Sequence, residues 1–123
     1  MKTQTDNQEI KSCPLSRWQM LKATLQNLSF EEFVERARRD PGAQVLDVRT
    51  REEFVQGSLE GAVNIDYLSE VLADELEALP RDKSYYVFCR TSRRSIRICV
   101  ILQNAGFDRV YNMDNGLQTR QIT

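Results

Sequence analysis

The apolar positions of this chain switch repeatedly between a strand-like and a helix-like spacing. Residues 44–48 (Gln44-Val45-Leu46-Asp47-Val48), 85–88 and 109–113 are short apolar runs that predict strands. Between them the period lengthens. Leu68, Val71, Leu72, Leu76 and Leu79 hold helical spacing over 68–79, and Pro80 closes that element. Ile98, Ile101, Leu102 and Ala105 fall at i, i+3, i+4 and i+7 in a helix expected over 95–105, with Gly106 as its left-handed stop. Ser29-Phe30-Glu31-Glu32 has the spacing of a capping box and opens a helix that runs to about Arg39, before Pro41-Gly42. Its last turn carries Arg36, Arg38 and Arg39, which suit the negative end of the helix dipole. Thr50-Arg51-Glu52-Glu53 repeats the capping spacing and starts a short helix ended by Gly57. Residues 61–65 form a loop with a short extended piece, and residues 16–27 are compatible with a short helix followed by a short strand. Residues 1–15 are expected to be a flexible N-terminal lead, with the folded domain over 16–123. Alternation of strands and helices predicts an α/β fold with a parallel sheet flanked by helices on both faces. Ligands in such sheets sit beyond the carboxyl ends of the strands.

Composition narrows the function more than the fold. The 123 residues suffice for one domain, and 41% hydrophobic with 28% charged residues is ordinary for a globular chain. The net charge of -1, from 17 basic and 18 acidic residues, gives no global field for nucleic acid or an anionic membrane. The opening MKTQTDNQEIKSCP is polar, and no apolar run is long enough to span a bilayer, so the expected compartment is the cytoplasm, where thiols stay reduced. Cys13, Cys89 and Cys99 form no CxxC pair, which argues against a disulfide framework and against a zinc site. There is no histidine. That excludes a Ser-His-Asp triad, a Cys-His dyad and any histidine metal cluster. A nucleophile in this chain needs another means of activation.

Such a means is present after the strand at 85–88. That strand delivers Cys89, and Arg90-Thr91-Ser92-Arg93-Arg94-Ser95 leads at once into the periodic helix. The first N–H groups of a helix lack intrahelical partners, and the dipole there is positive. Both stabilise a thiolate, lowering a cysteine pKa from ~8.5 into the range of roughly 3.5–7.5. The basic residues sharpen the reading. Arg90, Arg93, Arg94 and Arg97 recur at helical spacing, which ordinarily marks a solvated face. At a helix N-terminus, however, cations are disfavoured by ~0.3–1 kcal/mol each, so this stripe points to an anion bound there.

This constellation resembles the rhodanese family of sulfurtransferases, over roughly residues 28–116. The family's active-site pattern Cys-x-x-Gly-x-Arg-Ser stands here as Cys89-Arg90-Thr91-Ser92-Arg93-Arg94-Ser95. Asp47-Val48-Arg49 with Glu53-Phe54, then Gly57 and Gly61-Ala62-Val63-Asn64-Ile65, look like the family's upstream signature. Tyr111-Asn112-Met113 before Asn115-Gly116 resembles its closing segment. Ser92 stands in place of a glycine, Ser58-Leu59 in place of a histidine-isoleucine pair, and Asn115 in place of another glycine; the tail lacks the aromatic residue often found there. The resemblance implies catalysis by Cys89, which would take a sulfane sulfur from an anionic donor such as thiosulfate as a persulfide and pass it to a thiol or cyanide, with no cofactor and no metal. It also implies a substrate cradle of Arg90, Thr91, Ser92, Arg93, Arg94 and Ser95, in which Arg94, with Arg90 or Arg93, holds the anion. Asp47 and Arg49 are expected to support the site by fixing neighbouring loops.

Two other functions compete. Rhodanese-fold phosphatases and arsenate reductases carry a Cys-x5-Arg loop; here the sixth residue after Cys89 is Ser95, and the guanidinium comes one place early at Arg94. Non-catalytic rhodanese-like interaction modules usually lose the cysteine, which is kept here. Cys99, within an apolar helix, reads as a buried inert thiol. Cys13 reads as incidental, although a thiol on the lead could resolve a persulfide on Cys89.

Overall fold

A computed structural model describes residues 16–120; the expected lead at 1–15, with Cys13, lies outside the described residues. In chain order the elements are α1 (Arg17–Ala23), β1 (Gln26–Leu28), α2 (Phe30–Arg39), β2 (Ala43–Asp47), α3 (Arg51–Gln56), β3 (Val63–Asn64), α4 (Leu72–Glu77), β4 (Ser84–Phe88), α5 (Arg93–Asn104) and β5 (Val110–Met113). The strands form one parallel sheet of order β1-β5-β4-β2-β3. Every strand therefore ends at the same edge, and β4, which precedes Cys89, is its centre.

Period-two alternation along β4 divides two cores. Tyr85, Val87 and Cys89 face one side, where Ile96, Ile98, Cys99 and Leu102 of α5 cover them together with Leu25 and Leu76. Tyr86 and Phe88 face the other, against Phe33 of α2, Tyr111, Met113 and Leu28. A strand buried on both faces reads as an unbroken apolar run, which is what Ser84–Phe88 shows once its first residue is passed. Phe33 meets the rings of Tyr86 and Phe88 edge-on at 5.6 and 6.1 Å, the geometry that aromatic quadrupoles favour.

Capping boxes close the N-termini of α1 (Ser16 with Gln19), α2 (Ser29 with Glu32) and α3 (Thr50 with Glu53). Each such cap is worth about 1 kcal/mol, and each fixes where its helix begins. The expected helix at 68–79 is shorter, spanning only Leu72–Glu77. Asp66 Oδ1 accepts the Leu68 N–H at 2.8 Å and Ser69 Oγ accepts the Val71 N–H at 3.1 Å. These local side-chain bonds hold the backbone in turns that compete with helix. Leu68 and Val71 are left 69% and 54% exposed, so their helical spacing reflects no buried face. In contrast, the helix expected over 95–105 starts two residues earlier, at Arg93.

Candidate active site

The early start of α5 follows from the conformation of Ser92. This residue is the N-cap, yet it is left-handed (φ 78, ψ -10) and its side chain makes no capping bond. The acceptor for the first turn is instead the sulfur of Cys89. Ser92 N–H points at Cys89 Sγ over 3.1 Å, and Ser95 N–H does so over 3.4 Å. The Ser95 hydroxyl lies 3.7 Å from the same sulfur. Cys89 is 1% exposed, at the floor of the turn, so the two N–H donors act on it without competition from bulk water. Donors that the helix geometry leaves unpaired are thus spent on a thiol.

The two arginines nearest the mouth converge on one carboxylate. Arg94 Nη2 lies 3.6 Å from Glu53 Oε1, and Arg90 Nη2 lies 3.5 Å from Glu53 Oε2. Glu53 also completes the α3 capping box, accepting from Thr50 N–H and Thr50 Oγ1, each at 3.0 Å. Burial pushes its carboxyl up, but the Thr50 bonds and the neighbouring Arg94 and Arg49 outweigh that and hold it below its ordinary value. The basic stripe is thus partly answered from within the chain. Of its other members, Arg97 donates to Tyr67 Oη at 2.9 Å and Arg93 lies exposed on the outer side of the turn, as does Thr91 of the cradle.

Asp47 and Arg49 sit at the end of β2 beside this turn, buried and paired in a forked arrangement. Arg49 Nε donates to Asp47 Oδ1 at 2.9 Å and Arg49 Nη2 to Asp47 Oδ2 at 2.6 Å. Arg49 Nη2 also reaches Gly57 O at 2.6 Å, and Ser58 Oγ donates to Asp47 Oδ2 at 2.8 Å. The Asp47 bonds push the Arg49 guanidinium above its ordinary value. Ser58, where the family pattern has histidine, therefore ties the loop after α3 to the end of β2. This pair fixes loops.

Three contributors were not legible as site residues. Glu53 is visible in the sequence, but as a cap. Asn112 is visible in the sequence within the closing segment and as a polar residue at an inward-facing strand position, but neither signal gives it a role at the site; its amide binds both Ser92 Oγ and Ser95 Oγ. The third is the tail after β5. Leu117 N–H donates to Cys89 O at 2.9 Å and Gln118 N–H to Arg90 O at 2.7 Å, clamping the start of the Cys89 turn. Gly116, at φ 68, lets the two backbones approach: a Cβ there would stand 2.6 Å from Cys89 O. Asn115 is also left-handed, at φ 64, a conformation that asparagine tolerates. Cys99 is fully buried in α5, and burial pushes its thiol well up, with Cys89 adding to the effect.

A cysteine at the exit of a central parallel strand, with a helix N-terminus folded over its sulfur, defines a class of cysteine-loop α/β domains. Within that class the family is specific: the model of the rhodanese-like domain matches residues 29–120, and the chain belongs to this family. The thiosulfate sulfurtransferase GlpE of Pseudomonas fluorescens is 30% identical over 87 residues, which is 71% of this chain and 78% of that protein. Protein HIGH ARSENIC CONTENT 1, a mitochondrial protein of Arabidopsis thaliana, is 35% identical over 61% of this chain, and the match spans half of that longer protein. Among solved structures, a rhodanese-related protein from Thermoplasma volcanium superposes with a TM-score of 0.66 at 26% identity, over 76% of this chain and 88% of its own. No helix among the described residues is long and apolar enough to cross a membrane.

Proposed function

We propose that this chain is a sulfurtransferase that carries sulfane sulfur as a persulfide on Cys89. The observation that carries the reading is the pair of N–H groups, Ser92 and Ser95, aimed at a buried sulfur at 3.1 and 3.4 Å. They stabilise negative charge on sulfur without a base, as a chain with no histidine requires. In the first step the Cys89 thiolate attacks the outer sulfur of thiosulfate. A new S–S bond forms, the bond from that sulfur to the sulfonate breaks, and sulfite leaves with the electron pair. In the second step an acceptor thiolate attacks the outer sulfur of the persulfide, and the Cys89 thiolate departs; cyanide in the same role gives thiocyanate. Arg94 and Arg90 would bind the anionic donor once it displaces Glu53 from between them, while Asp47 and Arg49 hold the surrounding loops. Similarity to a protein named thiosulfate sulfurtransferase supports thiosulfate as the first donor to try.

Mass spectrometry after exposure to thiosulfate tests the proposal. Cys89 should gain about 32 Da, one sulfur atom, and the gain should vanish in Cys89→Ser but persist in Cys99→Ser. Para-nitrophenyl phosphate should not be hydrolysed, because the turn ends its cradle at Arg94, one residue short of the phosphatase loop. Hydrolysis of the ester without sulfur loading would replace this reading with a phosphatase. Inactivity toward both would favour an interaction module.

A further inference from the structure

We infer that Asn112 is a positioning residue, whose buried amide holds Ser92 in its left-handed conformation and thereby keeps the turn's N–H donors on the Cys89 sulfur. The inference rests on the sulfurtransferase reading for its consequence, though not for its geometry. Asn112 lies on β5 beside Val87 of β4, two residues before Cys89, and is fully buried. Its amide is used at both ends. Oδ1 accepts from the Ser95 hydroxyl at 2.6 Å. Nδ2 donates to Ser92 Oγ at 3.1 Å and to Asn27 Oδ1 at 2.9 Å. Asn27 is itself fixed, since its Nδ2 donates to Lys22 O at 2.9 Å and to Leu25 O at 3.3 Å. Ser92 and Ser95, the two residues that Asn112 grips by their hydroxyls, are the two whose N–H groups point at Sγ. One immobile side chain thus sets both donors.

The need for this grip comes from the residue at 92. At φ 78 an L-residue is disfavoured, because its Cβ crowds the following carbonyl, whereas glycine occupies the region freely. A serine released there relaxes toward negative φ; with Cys89 and α5 held in place, that change tips the 91–92 peptide plane and turns the Ser92 N–H away from the sulfur. A hydroxyl gives the strained residue a handle that alanine would lack, and Asn112 Nδ2 is the group that takes hold of it. The pairing is therefore a joint solution: serine at 92 requires an amide at 112, and glycine at 92 does not.

A double-mutant cycle tests this. The rate of sulfur loading from thiosulfate is measured in the parent, Asn112→Ala, Ser92→Gly and the double variant. With serine at 92, Asn112→Ala should slow loading about tenfold; with glycine at 92 the same change should cost about threefold or less. An equal factor in both backgrounds would show that Asn112 acts only as packing, and would overturn the inference. Ser92→Ala, which leaves Asn112 in place and removes only the hydroxyl, should load more slowly than Ser92→Gly by about fivefold. Equal rates for these two would also overturn it. Amide hydrogen exchange supplies a reading that needs no sulfur chemistry. In Asn112→Ala the residue 92 amide should exchange faster, by about tenfold, while the Val87 amide does not change. If the parent never loads sulfur, the sulfurtransferase reading fails, and exchange at residue 92 still decides the role of Asn112.

Discussion

At the scale of single residues, the chain distinguishes its two described cysteines by what surrounds each sulfur. Cys89 faces two N–H donors at the edge of the sheet, whereas Cys99 lies in the apolar layer with Tyr111 O, 3.9 Å away, as its partner among the described residues. Burial raises the Cys99 thiol, so it stays protonated and unreactive in the folded protein. Native protein treated with iodoacetamide near pH 8 should therefore carry no label on Cys99, read by peptide mapping; label there at a rate matching a free thiol would refute the assignment. Gly116 is the other position where one atom decides the outcome. At its φ of 68, a Cβ would stand 2.6 Å from Cys89 O, which leaves no room for a side chain. Gly116→Ala should push the tail off Cys89 and Arg90 and cost about 2 kcal/mol or more of stability, seen in urea unfolding, with loss of most sulfur loading. Sequence patterns made Cys89 and Arg94 visible as site residues because strand and helix signals meet at them, whereas Gly116 was visible only as part of the closing segment. Asn112 stayed hidden, since its role depends on two side chains brought to it by the fold.

At the scale of elements, α3 and the turn before α5 are coupled through Glu53. The sequence identified Glu53 as the N3 member of a capping box, which is correct and incomplete. What a linear pattern cannot supply is that β2 and β4 are neighbours in the sheet, so the helix after β2 opens next to the turn after β4. Glu53 thereby occupies the two guanidiniums that an anionic donor would use. Glu53→Gln retains the cap and removes the charge. We expect it to lower the KM for thiosulfate by about three- to fivefold with little change in kcat, consistent with long, partly solvated ion pairs of about 1 kcal/mol or less. A raised KM would mean that Glu53 orders the arginines rather than competing for them. The pH dependence follows from the direction of its shift. A carboxyl held below its ordinary 4.5 contributes stability that is present above that value and lost as pH falls through the lowered one. The stability difference between parent and Glu53→Gln should therefore be present at neutral pH and close in acid. The overextended helix at 68–79 shows the reverse limitation: five apolar residues kept helical spacing, but Asp66 and Ser69 captured the backbone N–H groups locally.

At the scale of the whole molecule, the two cores meet the Cys89 turn from opposite sides, and α1 reaches it through Asn27 and Asn112. The α/β order and the parallel sheet were legible because each strand and helix had its own period and stop signals. The position of α1 was not, because nothing in a seven-residue helix announces which face of the sheet it will cover. The family match begins at residue 29, so α1 and β1 precede it. They are nevertheless built into the site. Leu21 and Leu25 join the core on the α5 side, Gln103 Nε2 donates to Thr24 O at 3.4 Å, and Lys22 pairs with Asp114 at 2.5 Å, just beyond β5. Through Lys22 O the helix also anchors Asn27, and through Asn27 the amide of Asn112. A chain starting at Leu25 keeps β1 and the whole family segment but loses these braces. It should still fold, with stability reduced by about 1–2 kcal/mol from the lost Leu21 burial and polar contacts. In a chain of this size that corresponds to a thermal midpoint lower by roughly 5–10 °C. Sulfur loading well below the midpoint should also slow, since Asn27 loses its bond to Lys22 O while the residues of the Cys89 turn are unchanged. An unchanged midpoint would show that α1 merely rests on the domain. A lowered midpoint with undiminished loading would confine α1 to stability and cut the link from Lys22 through Asn27 to the turn.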